Sequence, residues 1–309
     1  MQKLQFPEKI SVPEYWSFSS LKSIEKCPRS YWYGAMGFYP DVWNHIGFPE
    51  FPGLAAIQGA VVHNAVQTIF VQGGGSRRNC IEVIKRNGGI LQIITTSIEQ
   101  YFNNLQCANF QSHRKIPSKK KIFESIYEMR TQVQQILSQI VVETVANLTE
   151  VTGHPVENIT IDFPIPNDSP LLTGSYKEFP LLDTTIKFKG YVDVLIVGEE
   201  YDEIVELKTG KETESHLFQV QCYESIWLNS SKRRPETDLR GKIVYSSGRV
   251  KKTENSKQEL FEVRQELERR IKNAENTSVD DFQINDSCRF CKVRHLLSLI
   301  HISEPTRPL

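Results

Sequence analysis

Tyr191-Val192-Asp193-Val194-Leu195-Ile196-Val197 and Ile204-Val205-Glu206-Leu207-Lys208 decide how this chain is read. Both runs are rich in β-branched and large apolar residues and read as strands. A charge is rare in the middle of such a strand, because burying it is costly unless it is paired or binds a metal. Gly198-Glu199-Glu200-Tyr201 between them reads as a hairpin loop. A loop centred there pairs Val197 with Asp202, and counting back places Asp193 opposite Glu206. Directly opposed residues share a face, with Cβ atoms about 5 Å apart. Lys208 falls on the face of Glu206, while Leu207 points the other way. Two carboxylates that close repel each other unless a cation lies between them. A hard divalent ion with oxygen ligands, Mg²⁺ or Mn²⁺, suits them. Lys208 is then placed to orient an attacking water or to steady the charge on a phosphate. Taken alone, an aspartate and an E-x-K also suit two half-buried strands with a surface ion pair, so the rest of the chain must decide.

The 309 residues include 37 Lys and Arg against 37 Asp and Glu, a net charge of zero. No global field draws this chain onto a polyanion. Local basic clusters occur at His113-Arg114-Lys115 with Lys119-Lys120-Lys121, at Lys232-Arg233-Arg234 and at Arg249-Val250-Lys251-Lys252. Such clusters are usually solvated patches, and they permit phosphate contacts without proving them. Hydrophobic content of 39% and charged content of 24% are those of a globular protein. No apolar run reads as a membrane span, and the start, Met1 to Pro7, lacks a signal-peptide core. A cytoplasmic protein without membrane contact is expected. Cysteines at 27, 80, 107, 222, 288 and 291 do not form a secreted disulfide pattern.

Residues 1–17 read as an irregular lead-in. Ser19 or Ser20 caps a helix through Lys26, and Pro28 opens the next turn. Ala55 to Val71 has helical spacing and ends at Gly73-Gly74-Gly75. Further helices are expected from Ile81 to Leu105 and from Lys121 to Glu150. After Gly153 the pattern changes, with strands at Ile159–Ile165 and Thr184–Lys189 ahead of the two above. A helix over Glu214–Asn229, a strand over Lys242–Ser246 and a helix over Glu259–Ala274 follow. The fold class is therefore mixed α/β: a helical N-terminal half, 1–153, ahead of a core, 154–296, with a central mixed sheet flanked by helices.

In their order, these motifs resemble the PD-(D/E)XK nuclease superfamily, in its RecB-like and AddB-like exonuclease branch, which includes CRISPR-associated exonucleases. Asp193 and Glu206-Leu207-Lys208 match the core signature. Gln219-Val220-Gln221-Cys222-Tyr223 matches a Q-x-x-x-Y element, and Gly59-Ala60-Val61-Val62-His63 a G-x-x-x-H element. Ser17 to Leu21, Cys27-Pro28 and Tyr31 look like the branch's N-terminal segment. The resemblance implies a restriction-endonuclease-like core and a metal-dependent DNA nuclease, an exonuclease on single-stranded DNA ends in repair, recombination or CRISPR adaptation. It implies Asp193, Glu206, His63 and the Leu207 carbonyl as ligands of Mg²⁺ or Mn²⁺, with Lys208 positioning the nucleophilic water. A lone histidine on an apolar helix face is otherwise most often a core residue. Gln219 and Tyr223, four apart, share a helix face and by resemblance contact DNA or hold Lys208. A helicase or a CRISPR-adaptation protein is the implied partner, since no G-x-x-x-x-G-K-[ST] motif occurs. An inactive DNA-binding module and an endonuclease stay open as alternatives.

Cys27, Cys288 and Cys291 match, by resemblance, three of the four ligands of a 4Fe–4S cluster that closes the two ends of the domain. The fourth is expected about six residues after Cys291 by the same resemblance, where 296 and 297 are both leucine. Cys288-x2-Cys291-x3-His295 with Cys27 also suits tetrahedral zinc, and unligated thiols are the plainest alternative. Residues 297–309 read as translated sequencing-adapter read-through and stay outside fold reasoning.

Overall fold

In the computed structural model the described residues are 7–40, 44–48, 52–105, 116–144, 170–281, 291 and 293. In chain order the elements are α1 (Phe18–Lys26), α2 (Pro28–Tyr31), a π-helical turn at Trp32–Met36, a short pair β1 (Phe38–Tyr39) and β2 (His45–Ile46), α3 (Leu54–Gln72), α4 (Arg77–Arg86), α5 (Ile90–Asn104), α6 (Lys119–Phe123), α7 (Ile126–Thr144), β3 (Gly174–Asp183), β4 (Phe188–Val197), β5 (Tyr201–Lys208), α8 (Glu214–Leu228), β6 (Asp238–Tyr245), β7 (Val250–Thr253) and α9 (Lys257–Glu275). Strands β3 to β7 form one mixed sheet in sequence order. All neighbours are antiparallel except β5 and β6, which run parallel. A parallel pair needs a crossover, and α8 supplies it. The arrangement is consistent with a restriction-endonuclease-like fold.

The hairpin register follows the count made from the sequence: Val197 pairs with Asp202 and Val194 with Val205. Both faces of β5 and of 192–197 in β4 are covered, so these stretches read as continuous apolar runs and not as alternation. Val194, Ile196, Val205 and Leu207 pack beneath α3, α5 and α7. Leu195, Val197 and Ile204 pack on the opposite side with α1, α2, α8 and α9. Each such fully buried Val, Leu or Ile contributes about 1.5–3 kcal/mol relative to exposure. By length and composition α3 is apolar enough to cross a membrane, which the sequence reading misses. In the fold it is a core helix whose Ile57, Val61, Val62, Ala65, Val66, Ile69 and Phe70 are buried.

Several expected elements shift. Thr184–Lys189 is not a strand: 184–187 is the turn between β3 and β4, and Phe188 begins β4. Asp183 causes this, since its Oδ1 accepts the N–H groups of Thr185 and Ile186 and competes with strand pairing. The 81–105 helix is two helices, because Gly88 and Gly89 adopt φ of 80° and 99°. The helix expected from Lys121 breaks after Phe123, and 145–150 lie outside the described residues. The first helix is capped by Ser17, not Ser19 or Ser20; Ser20 returns the bond in a capping box. Lys232-Arg233-Arg234 is not a solvated patch. Arg233 is buried against Asp202, and Arg234 donates to the Gly198 carbonyl, bracing the hairpin loop. The expected strand Ile159–Ile165, the boundary at 153 and the 297–309 tail all lie outside the described residues.

One buried acid sets a pH dependence. Glu224 of α8 is wholly buried, and its carboxyl accepts from Thr253 Oγ1 (2.7 Å) and Asn255 Nδ2 (2.9 Å). Burial, only partly offset by those two bonds, pushes its pKa from 4.5 up to about 7. The folded state thus prefers the neutral acid. That contribution is fully present below the unfolded pKa and is lost as pH rises through the folded one. Relative to Glu224→Gln, which stays neutral, the wild type is expected to lose up to about 3 kcal/mol of stability between roughly pH 5 and 8. Thermal unfolding of both proteins across that range checks this; parallel curves would refute it.

Candidate active site

Asp193 and Glu206 sit where the β4–β5 ladder stops. The last backbone pair is Val194–Val205, and one step further the Asp193 side chain takes over. Its Oδ2 accepts the N–H of Leu207 at 2.7 Å. Its Oδ1 lies 3.5 Å from Nδ1 of His63 on α3. Glu206 faces the other helix layer: its Oε1 accepts from Lys208 Nζ (2.6 Å) and from Gln219 Nε2 (2.8 Å). Gln219 also accepts from Lys208 Nζ (3.1 Å), and its amide nitrogen lies 3.0 Å from the Tyr223 hydroxyl. Asp193, His63, Glu206, Lys208, Gln219 and Tyr223 therefore meet across β4, β5, α3 and α8. Gln221 points away, donating to Asn255.

Two glycines permit this convergence. A Cβ on Gly59 would lie 2.8 Å from Thr209 Oγ1, so α3 reaches the exit of β5 only with glycine there. A Cβ on Gly190 would lie 2.5 Å from Cε1 of the buried Tyr223 ring. Gly190→Ala is expected to cost about 1–3 kcal/mol of stability through overpacking. It should also weaken nucleic-acid cleavage, because the displaced ring carries Gln219 with it. Thermal unfolding and a cleavage assay on the same preparation check both, and unchanged cleavage in a destabilised protein would show that the ring does not position Gln219.

The electrostatics describe a buried space short of positive charge. Burial first, then Asp193, raises the pKa of Glu206, against Lys208 and His63. For His63, burial alone would lower the pKa, but the hydrogen bond and charge of Asp193, with Glu206 beyond, outweigh it and raise it. A cation between them would favour the deprotonated form of both groups. Glu206 Oε2 is buried and has no hydrogen-bond partner in the structure. Such an orphan needs an explanation, and an ion is one. As they stand, no three His, Cys, Asp or Glu side chains among the described residues form a ready cage. Even so, the carboxylates of Asp193 and Glu206 suit a hard divalent ion, and the imidazole of His63 softens the set toward Mn²⁺ over Mg²⁺.

Two neighbours escaped the sequence reading. Gln67 Nε2 donates to Glu178 Oε1 (2.8 Å) and lies 3.2 Å from the Asp193 carbonyl and 3.3 Å from Asp193 Oδ1. It stands four residues beyond His63, the same spacing that ties Gln219 to Tyr223, so its position was readable. Glu178 faces Asp193 by the register of β3 on β4 and adopts φ of 46°, a conformation a non-glycine residue seldom takes. No sequence signal marked it, because β3 itself was not seen. At the far end of the core, Cys27 and Cys291 converge on Ser30. Cys27 Sγ accepts its N–H (3.4 Å), and Cys291 Sγ donates to its hydroxyl (3.3 Å). Cys288 lies outside the described residues.

A mixed sheet backed by helices, with acids and a lysine at the opening between two strands, suits metal-assisted hydrolysis of phosphodiesters. The sequence matches the PD-(D/E)XK nuclease superfamily over residues 15–296, and the chain belongs to that superfamily. Membership marks it as a metal-dependent nuclease; nucleases of this superfamily generally use Mg²⁺ or Mn²⁺, and DNA is the implied substrate. No curated protein sequence matches the chain.

Proposed function

We propose that this nuclease is a RecB-like exonuclease acting on single-stranded DNA ends. The observation that carries the catalytic reading is the Glu206 carboxyl, one oxygen held by Lys208 and Gln219, the other buried and orphaned near Asp193. Asp193, Glu206, His63 and the Leu207 carbonyl are the ion's ligands in this reading. When bound, the ion supplies Lewis acidity toward a phosphoryl oxygen and makes water more acidic. Lys208 has three N–H donors, of which two point to Glu206 and Gln219. The third is left for the attacking water or a phosphate oxygen. Burial, and next the charge of Glu206, raise the Tyr223 pKa, so its phenol stays neutral and serves to hold Gln219 and not as a base. Single-strand preference and exonuclease action are supported by the Gln219/Tyr223 and Gly59/His63 motifs, which resemble that branch.

Incubation with end-labelled linear and circular DNA, single- and double-stranded, with Mg²⁺, Mn²⁺ or chelator, tests this. Shortening of linear single strands that stops with chelator is expected. Cleavage of circles would replace it with an endonuclease, and binding without cleavage with an inactive module.

The thiols of Cys27 and Cys291, brought to one residue, support the cluster reading as far as two ligands go. Bound there with Cys288, a 4Fe–4S group would tie α2 to the end of the chain. Anaerobic purification with iron, sulfide and zinc analysis tests it; zinc without labile sulfide would replace the cluster with a zinc site.

A further inference from the structure

We propose that Tyr191 is a stacking platform for an unpaired base of the substrate strand, next to the phosphate at the Asp193 site; the inference rests on the nuclease reading above. Alternate residues of a strand face opposite sides. Phe188 and Val192 of β4 enter the core beneath α8, and Gly190 lies against the Tyr223 ring. Lys189 and Tyr191 therefore project from the other face, on which Asp193 meets His63 and Gln67 of α3. Among the described residues that face is open at Lys189 and Tyr191. Tyr191 is 51% exposed, Lys189 is exposed, and across the ladder from Lys189 stands the exposed Leu182.

A single exposed tyrosine needs no explanation by itself. What distinguishes this one is its company along a single strand. Lys189 and Tyr191 follow one another on one face at a step of about 6.8 Å, and Asp193 comes next, where the alternation breaks, since Val192 packs in the α8 layer and Val194 in the α3 layer. A cation, an aromatic ring and the candidate metal ligand match the phosphate, base and scissile phosphate of one extended strand. Lys189 makes no ion pair within the described residues and is available to a phosphate. The occupant this favours is single-stranded DNA. A base inside a duplex already stacks on both neighbours, whereas an unpaired base has a free face, and stacking tolerates any sequence because every base has one.

The test uses single-stranded oligonucleotides, intact or with one abasic nucleotide stepped along the chain, cut by wild type, Tyr191→Ala and Tyr191→Phe. Tyr191→Ala is expected to raise KM for the intact strand roughly 5- to 150-fold, with kcat little changed. Tyr191→Phe should stay near wild type. At one position the abasic substrate should bring wild type down to the level of Tyr191→Ala and cost that variant nothing more. A Tyr191→Ala protein with unchanged KM, equal losses in the Phe variant, or losses that add at every abasic position would overturn the platform while leaving the nuclease intact. A wild type that cuts no strand with Mg²⁺ or Mn²⁺ would overturn both.

Discussion

Replacing Lys208 by alanine is expected to lower kcat for DNA cleavage by about a thousandfold or more, with the chain still folded. The ammonium sits 2.6 Å from Glu206 Oε1 and 3.1 Å from Gln219 Oε1, at the end of β5. Its backbone is fixed as well, since the Lys208 carbonyl accepts from Ser246. A preorganised donor of this kind acts on charge that develops only in the transition state, so its loss falls on kcat and not on DNA binding. Lys208→Arg should rescue little. A planar guanidinium cannot present the single point charge that Glu206 and Gln219 hold between them. Cleavage rates at saturating DNA, together with a DNA-binding isotherm and circular dichroism, check the prediction. Cleavage that survives Lys208→Ala would remove this lysine from the mechanism.

That lysine was legible before any fold was seen, and the reason is local. In a strand the side chains alternate, and a hairpin loop sets the register, so Val197 opposite Asp202 brings Asp193 to Glu206 by counting alone. The register holds as far as Val194–Val205, but the shared face does not: the ladder ends there, Asp193 turns to His63 of α3 and Glu206 to Gln219 of α8, on opposite sides of the sheet. Gln219 and Tyr223 were legible for the matching helical reason. The edge strand β3 was not. Its Pro180 and the Lys177-Glu178 pair break the apolar pattern, and Glu178 takes a backbone angle that propensity does not foresee. Glu178 lies on that strand and was hidden with it. The Thr184–Lys189 error has the same root, since Thr185-Ile186-Lys187-Phe188 alternates like a strand while the Asp183 carboxylate folds it into a turn. The docking of α3 on the exit of β5 was legible only through the resemblance of Gly59 and His63 to a G-x-x-x-H element, because the contact of Gly59 with Thr209 joins residues far apart in the chain.

Asp193→Asn and Asp193→Ala are both expected to abolish cleavage, by about a thousandfold or more, yet they should part in stability. In the wild type Oδ2 accepts the Leu207 N–H at 2.7 Å and so closes the hairpin where backbone pairing ends. Asparagine keeps an oxygen for that N–H. Alanine leaves it buried and unpaired, at a cost of about 1–3 kcal/mol. Asparagine does lose the negative charge, and its amide nitrogen turns toward Gln67 Nε2 and His63, donors that now face another donor. Since Asp193 is what raises the His63 pKa against burial, that pKa should fall in both variants. Unfolding curves, Mn²⁺ titration by calorimetry and a histidine titration by NMR separate the roles. The expected pattern is a stable Asn variant and a weakened Ala variant, with metal affinity and cleavage lost in both. An Asn variant that still binds Mn²⁺ and cuts DNA would mean that Asp193 serves the hairpin alone, and that the ion is held by Glu206 with other partners.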